Sequence, residues 1–353
     1  MIKLQPLLGR AACLRRRPDR QTTIFTKRSF AATATSSFDR STISGPHGNY
    51  QEEYHLAKDS PEAFWGQQAK ALDWHTFPST ILQQDNPNDA VIDYRWFPDG
   101  KINTCYNCLD VHVNAGRGDQ LALVYDSPVT DTKQQFSYKE LLQEVSTFAG
   151  ALKHDLGVEP GDRVVIYMPM IPQAIIAMLA CARIGAIHSV VFGGFAAKEL
   201  ATRITDCDPK VVISASAGVE PTRVVEYKPL LDRALELAQH NVEHCVIVQR
   251  PNVLECELKE GRDLDYNQLM EQTTTSAEAI PLPANHTHYI LTTSGTTGRP
   301  KGVVRDTAGY VVALKYSMGA FYDTNPGEVL WAASDIGWVV GHSYIVYAPL
   351  LQG

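Results

Sequence analysis

The chain has 353 residues, enough for roughly two or three domain-sized units, and its 44% hydrophobic and 20% charged content is that of an ordinary globular protein. A net charge of −7 leaves no basic surplus for nucleic acid as the main partner. Nowhere does an uninterrupted apolar run reach the about 18 residues of a membrane span; the nearest, residues 175–182, stops at Arg183 and fits a buried helix, so no membrane insertion is expected.

The charge is unevenly spread. Residues 1–38 carry eight Lys or Arg and a single acid, Asp19, which leaves a net of −14 for the rest. An Arg-, Ser-, Thr- and Ala-rich, acid-poor start has the composition of a mitochondrial transit peptide, and it lacks the clean apolar stretch of a secretory signal. The expectation is a disordered leader cut near residues 28–31 and a matrix address; the alternative is a basic tail with no targeting role. In a reducing compartment the seven cysteines should be free thiols. Cys105 and Cys108 form a C-x-x-C pair without a second pair at zinc-finger spacing, so both read as structural, and no metal site is expected.

Residues 39–125 are aromatic-rich and irregular. A helix is predicted over 61–74, with Ser60 as N-cap and Pro61 in its first position, then a strand over 91–100 and a helix over 105–116. From about residue 136 the pattern becomes regular. An amphipathic helix opens on a capping box of Ser137 and Glu140. Apolar strands over 163–168, 188–193, 210–216 and 244–250 then alternate with amphipathic helices beginning at Pro172, Ala196 and Lys228. That alternation predicts an α/β fold, a parallel sheet covered by helices on both faces and joined by right-handed crossovers. Residues 251–285 read as a polar, Pro-bearing surface excursion. An apolar strand over 286–295, a helix over 309–321 and a strand over 328–334 follow. The apolar stretch 343–352 has no ending of its own and, without further sheet to cover it, is expected to expose apolar surface over 344–351.

The stretch "TTSGTTGRPKGVV", from Thr292 to Val304, resembles a phosphate loop but is not a Walker loop. Counted from Gly295, Pro300 stands where the second glycine should be, and Gly302 replaces the hydroxyl residue that would hold magnesium. Proline has no N–H to give to an amide cradle. What remains is five hydroxyls in six residues (Thr292, Thr293, Ser294, Thr296, Thr297), three glycines and Lys301. Hydroxyls and amides bond phosphate oxygens, and lysine adds a point charge. A strand leads in, which places the loop at the carboxyl end of a parallel sheet.

The string "TSGTTGRPKGV" resembles the phosphate-loop signature of the acyl-adenylate-forming superfamily. "FWGQQAKALDW", "NCLD", "VVFGGF" and "SDIGWVVGHSYIVYAPL" narrow the resemblance to its short-chain branch, the acetyl- and propionyl-CoA synthetases, over residues 50–353. "RPKGVVRDTAGY" and "GWVVGHSYIVYAPLL" look closer to the propionyl-CoA enzymes, since acetyl-specific members usually have Thr in place of Val340. After the leader over 1–38 read from composition, the resemblance implies an acetyl-CoA-synthetase-type N-terminal region over 50–109 and an AMP-binding domain, incomplete at its far end, over 110–353. It also implies the reaction: a carboxylate attacks the α-phosphorus of ATP, pyrophosphate leaves, and CoA thiolate displaces AMP from the acyl-adenylate, with Mg²⁺ offsetting phosphate charge.

By the same resemblance Thr293, Ser294, Gly295, Thr296, Thr297, Gly298 and Lys301 would hold ATP phosphates. Phe192, Gly193 and Gly194 match the loop that meets the CoA adenine, and Glu220, Pro221, Thr222 and Arg223 match the CoA-binding stretch. Glu220 stands where acetyl-type members carry Arg, which leaves Arg223 as the phosphate partner. Trp338, Val339 and Val340 would border the acyl and CoA tunnel. Asp335 and His342 are expected to be structural, because a carboxylate substrate needs no general base. Branch members are nearly twice this length and carry the adenylation lysine later in the chain, so this chain by itself is expected to be inactive. The competing readings are a non-enzymatic nucleotide- or CoA-binding remnant or subunit, an acetate-preferring synthetase, and a medium-chain ligase, against which "FWGQQAKALDW" argues.

Overall fold

The computed structural model describes residues 44–45, 48–84, 94–293 and 300–353. The predicted leader and residues 294–299 of the hydroxyl loop lie outside this set. Two short strands, β1 (Ser44–Gly45) and β2 (Gly48–Asn49), precede α1 (Tyr50–Asp59) and α2 (Pro61–Ala69). Ser60 occupies the N-cap of α2 and Pro61 its first turn, as expected, but the serine side chain makes no capping bond. β3 (Leu82–Gln84) pairs antiparallel with β4 (Tyr94–Trp96); β5 (Lys101–Ile102) leads into two π-type helical turns, Tyr106–Asp110 and Val113–Arg117. β6 (Leu121–Ser127) and β7 (Thr132–Ser137) form a hairpin absent from the sequence-based expectation: β6 is a largely apolar run without clean alternation, and its partner β7 is mainly polar and solvent-facing. α3 (Tyr138–Gly150) begins at the expected capping box: Glu140 N–H donates to Ser137 Oγ, and Ser137 N–H donates to Glu140 Oε2 at 2.8 Å.

The α/β core then follows. β8 (Arg163–Tyr167), α4 (Pro172–Ile184), β9 (Ile187–Val190), α5 (Ala197–Cys207) and β10 (Val211–Ala215) come first. A hairpin of β11 (Ala217–Glu220) and β12 (Arg223–Glu226) precedes α6 (Tyr227–Leu237) and β13 (His244–Val248). Residues 251–285 are not wholly irregular: they contain β14 (Asp263–Asp265), α7 (Tyr266–Gln272, capped by Asp265) and β15 (Leu282–Pro283). β16 (Thr287–Thr293), β17 (Lys301–Asp306), α8 (Ala308–Ala320), α9 (Val339–Gly341), a π-type segment His342–Tyr347 and α10 (Ala348–Gln352) complete the order.

Seven strands form one sheet in the order β14-β13-β10-β8-β9-β16-β17, parallel throughout except for β17. Period two decides its packing. Val164 and Ile166 of β8 face one core together with α3, α4 and α8, while Val165 and Tyr167 face a second core with α5 and α6. Both faces are thus buried, which is why these strands read as continuous apolar runs. Cys105 and Cys108 are buried free thiols, and burial pushes Cys105 up to about 12. No helix among the described residues is long and apolar enough to cross a membrane.

Two expectations need correction. The predicted strand at 328–334 has no strand geometry, and Val329 and Trp331 are 78% and 83% exposed. β-propensity reports packing against a neighbouring strand, and none of the described strands pairs there. Conversely, 344–351 does not form an exposed apolar face: Val346, Tyr347, Ala348, Leu350 and Leu351 are buried. The cover comes from earlier in the chain. His112 Nε2 lies 2.7 Å from Leu350 O, Lys315 Nζ donates to Leu351 O at 3.0 Å, and Arg117 donates to Gly353 O at 3.2 Å. These groups serve the carbonyls that the last turn of a helix leaves unbonded.

Arg183, read as the polar end of an apolar run, lies on the buried side of α4, only 2% exposed. Its guanidinium grips Asp110 through two bonds of 2.8 and 3.0 Å and donates to Ala277 O at 2.7 Å, joining three distant segments. Removing one member strands a buried charge. Arg183→Met and Asp110→Asn are each expected to lower the unfolding free energy by about 3–5 kcal/mol in urea titrations followed by tryptophan fluorescence.

A second buried polar group lies where β9 meets β16 and the C-terminal helix. A bulge at Thr287/Tyr289 turns both His288 and Tyr289 toward His188. His188 Nε2 lies 2.6 Å from Tyr347 Oη, and its ring stacks on that of His342 at 5.5 Å. Burial holds His188 well below the ordinary imidazole value and takes His288 down to about 3 and His342 to about 4, helped in the first two by neighbouring histidines. Unfolded chains therefore bind these protons more readily than folded ones, and stability falls as pH drops below the unfolded value of 6.5 toward the folded values. Between pH 6.5 and about 5, above most carboxylate titration, the urea midpoint should fall steadily, and His342→Gln should flatten that slope. An unchanged slope in the variant would refute this account.

Candidate functional site

The sheet order doubles back at β8: β9 lies on one side of it and β10, reached later, on the other. α4 joins the first core and α5 the second, so loops leaving neighbouring strands part toward opposite faces. Ligands of α/β sheets bind outside the carboxyl ends of the strands at such a point. The predicted residues leave β9, β10 and β16 at this edge.

The turn after β9 carries Phe192, Gly193 and Gly194. Phe195 N–H donates to Phe192 O at 3.0 Å, and Tyr167 Oη donates to Phe195 O at 2.7 Å, so the end of β8 holds the turn. The Phe192 ring lies 5.5 Å from the Trp338 ring, and a Cβ on Gly337 would come within 2.7 Å of Phe192 Cα. Two segments far apart in sequence therefore meet at backbone contact. Trp338, Val339 and Val340 open α9 and are each 43–47% exposed. Asp335 Oδ1 accepts Gly337 N–H at 2.7 Å, and His342 Nδ1 lies 3.1 Å from Trp338 O. Each side chain shapes its own backbone, in keeping with structural roles for both.

Glu220, Pro221, Thr222 and Arg223 form the exposed tip of the β11–β12 hairpin, with Glu220 and Arg223 as the last cross-strand pair. Arg223 Nε donates to Glu220 Oε2 at 2.8 Å. The glutamate that replaces an expected cation thus neutralises the remaining one. The hydrogen bond from Arg223 holds Glu220 below the usual carboxylate range, and both side chains are exposed.

The hydroxyl loop is described only at its ends. Thr293 closes β16, Lys301 opens β17, and the two face each other in the antiparallel register, with Thr293 Oγ1 donating to Lys301 O at 3.4 Å. The sequence reading foresaw the strand leading in but not the strand leading out. Ser294, Gly295, Thr296, Thr297 and Gly298 lie outside the described residues. A cleft of 780 Å³ between α5 and β16–β17 is lined by Lys198, Thr202, Asp206, Thr292, Gly302 and Val304; it contains none of the 192–194, 220–223 or 338–340 residues.

Tyr227 is what sequence reasoning missed. It is the first residue of α6 and 5% exposed. A Cβ on Gly193 would lie 2.2 Å from its Oη, and a Cβ on Gly218 would lie 2.7 Å from its Cε2. Neither glycine has a positive φ, so each is needed for space rather than for backbone freedom. The signal, a tyrosine following a glycine-bearing hairpin, is too diffuse to read without coordinates.

Comparisons with known proteins identify the family. Residues 111–353 match the family model described as AMP-binding enzyme, and residues 50–108 match the acetyl-coenzyme A synthetase N-terminus. The chain is 53% identical over 312 residues to acyl-CoA synthetase short-chain family member 3, mitochondrial, of Rattus norvegicus, covering 88% of this chain and 45% of that protein. It is 45% identical over 306 residues to propionate–CoA ligase of Escherichia coli (86% and 48% covered), and 41% identical over 305 residues to acetyl-coenzyme A synthetase of Xanthobacter autotrophicus (86% and 46% covered). The chain spans about half the length of these curated relatives. These relatives are short-chain acyl-CoA synthetases, and with more than half of its residues inside the first model the chain belongs to the AMP-binding enzyme family.

Proposed function

We propose that the protein is an AMP-forming short-chain acyl-CoA synthetase that joins propionate, or acetate less well, to CoA at the expense of ATP. The observation that carries this reading is the meeting of the 192–194 turn, the 217–226 hairpin and the 335–340 segment at the carboxyl edge of the sheet. In the first step a carboxylate oxygen bonds the α-phosphorus and the bond to pyrophosphate breaks. In the second the CoA sulfur bonds the acyl carbon and AMP leaves with the electron pair.

Thr293, Ser294, Gly295, Thr296, Thr297, Gly298 and Lys301 are assigned to the β- and γ-phosphates. Phe192, Gly193, Gly194 and the tip Glu220–Arg223 are assigned to CoA, and Trp338, Val339 and Val340 to the walls around the acyl group and thiol. Magnesium would arrive on the ATP phosphates as part of the substrate; among the described residues no three His, Cys, Asp or Glu side chains gather to hold an ion of their own. The same reading makes residues 1–38 a matrix-targeting leader, 50–109 the N-terminal region and 110–353 part of the AMP-binding domain.

An apolar Val340 favours the longer acid, and one methylene separates substrates by about 1–3 kcal/mol. The full-length protein is expected to show propionate-dependent ATP–pyrophosphate exchange and to release AMP with CoA. Across acids of two to six carbons, kcat/KM should peak at propionate, with acetate lower by roughly 10-fold or more. A medium-chain optimum, or ADP in place of AMP, would overturn the proposal.

A further inference from the structure

We infer that Tyr227 is a positioning residue of the CoA site, a post against which the Phe192–Gly194 turn and the β11–β12 hairpin are both set. The inference rests on the reading of those two segments as the CoA site. The turn and the hairpin leave different strands, β9 and β10, and no hydrogen bond joins one to the other among the described residues. Both rest most closely on the ring of Tyr227, and beyond it on Met168 and Pro169 at the end of β8. Gly193 approaches its hydroxyl and Gly218 its ring edge, each so closely that a methyl group could not be added.

The post is itself held firmly. Tyr227 N–H donates to Ser216 O at 3.1 Å, at the start of the hairpin, and the Tyr227 ring rests 4.9 Å from that of Tyr167. Tyr167 in turn bonds Phe195 O, so the two tyrosines grip the β9 turn from both ends. One residue further along α6, buried Lys228 reaches Asp232 at 2.5 Å and Asp263 at 3.0 Å, tying the helix start to β14. A group fixed on a rigid element can hold a loop where an exposed ion pair cannot, and the ion pair at the hairpin tip, Glu220–Arg223, is exposed. The ring belongs to the second apolar core, beside Tyr167 and Leu231, and its hydroxyl lies against Gly193.

The test uses the full-length enzyme, with CoA binding measured by calorimetry beside the two half-reactions. Tyr227→Ala should weaken CoA binding and raise the KM for CoA by about 10-fold or more, while propionate-dependent ATP–pyrophosphate exchange stays within about twofold of the parent. Tyr227→Phe keeps the ring and should resemble the parent in both. Gly193→Ala should also raise the KM for CoA, and adding Tyr227→Phe should restore part of the loss by removing the oxygen that the new methyl meets, a non-additive result. Equal loss of exchange and thioester formation in Tyr227→Ala, or no recovery in the Gly193→Ala/Tyr227→Phe pair, overturns the inference. A parent that binds CoA but makes no acyl-CoA sinks the functional reading instead, and Tyr227 is then decided by the CoA affinity of Tyr227→Ala alone.

Discussion

The parallel ladder of β8, β9, β10 and β13 is the constraint on which the rest of the molecule depends. Both faces of these strands are dry, so their amides and carbonyls have only each other to bond. A parallel ladder cannot be closed by short turns; every strand must be followed by a crossover that returns the chain to the same starting edge. All strands therefore release their loops at one edge. The turn after β9, the hairpin after β10 and the end of β16 become neighbours of that edge as a result of backbone hydrogen bonding, before any functional side chain is chosen.

Given that edge, the proposed site is made as much by removing atoms as by adding them. Gly193, Gly218 and Gly337 allow backbone to approach a tyrosine ring or another backbone within distances that no Cβ could share. The aromatic groups Phe192, Tyr167, Tyr227 and Trp338 then fill the space so opened. Rigid rings lose little conformational entropy on packing, which suits them to fixing loops that must remain partly exposed.

Legibility in the sequence followed from how local each determinant is. The apolar alternation from Arg163 to Val248 and the Ser137–Glu140 capping box depend on neighbouring residues, and both stand in the structure as read. The β6–β7 hairpin was hidden because β6 lacks apolar–polar alternation and β7 is mainly polar, and β14 because it is three residues long at the sheet edge. Burial of Tyr347 and Leu351 depends on Cys108, His112, Arg117 and Lys315, between about 30 and 240 residues away in sequence, a range that pattern reading does not reach. The segment 328–334 failed in the opposite direction: its residues favour a strand, but strand formation needs a partner as well as a preference. In the candidate site, glycines and hydroxyls were visible as motifs, whereas Tyr227 acts through two contacts that only the fold creates.

The Glu220–Arg223 pair shows why such a post matters. An exposed pair of this kind is screened by water and contributes little, so it neither orders the hairpin tip nor binds the arginine irreversibly. A phosphate group carrying between one and two charges, with three acceptor oxygens, can compete for the same guanidinium. Glutamate therefore weakens an anion contact at the tip without abolishing it. A tip so weakly held by charge must take its position from below. Tyr227 and Gly218 supply that position through steric fit, which neither salt nor pH near neutrality disturbs, so the orientation of the hairpin and the strength of its charge contact can vary independently.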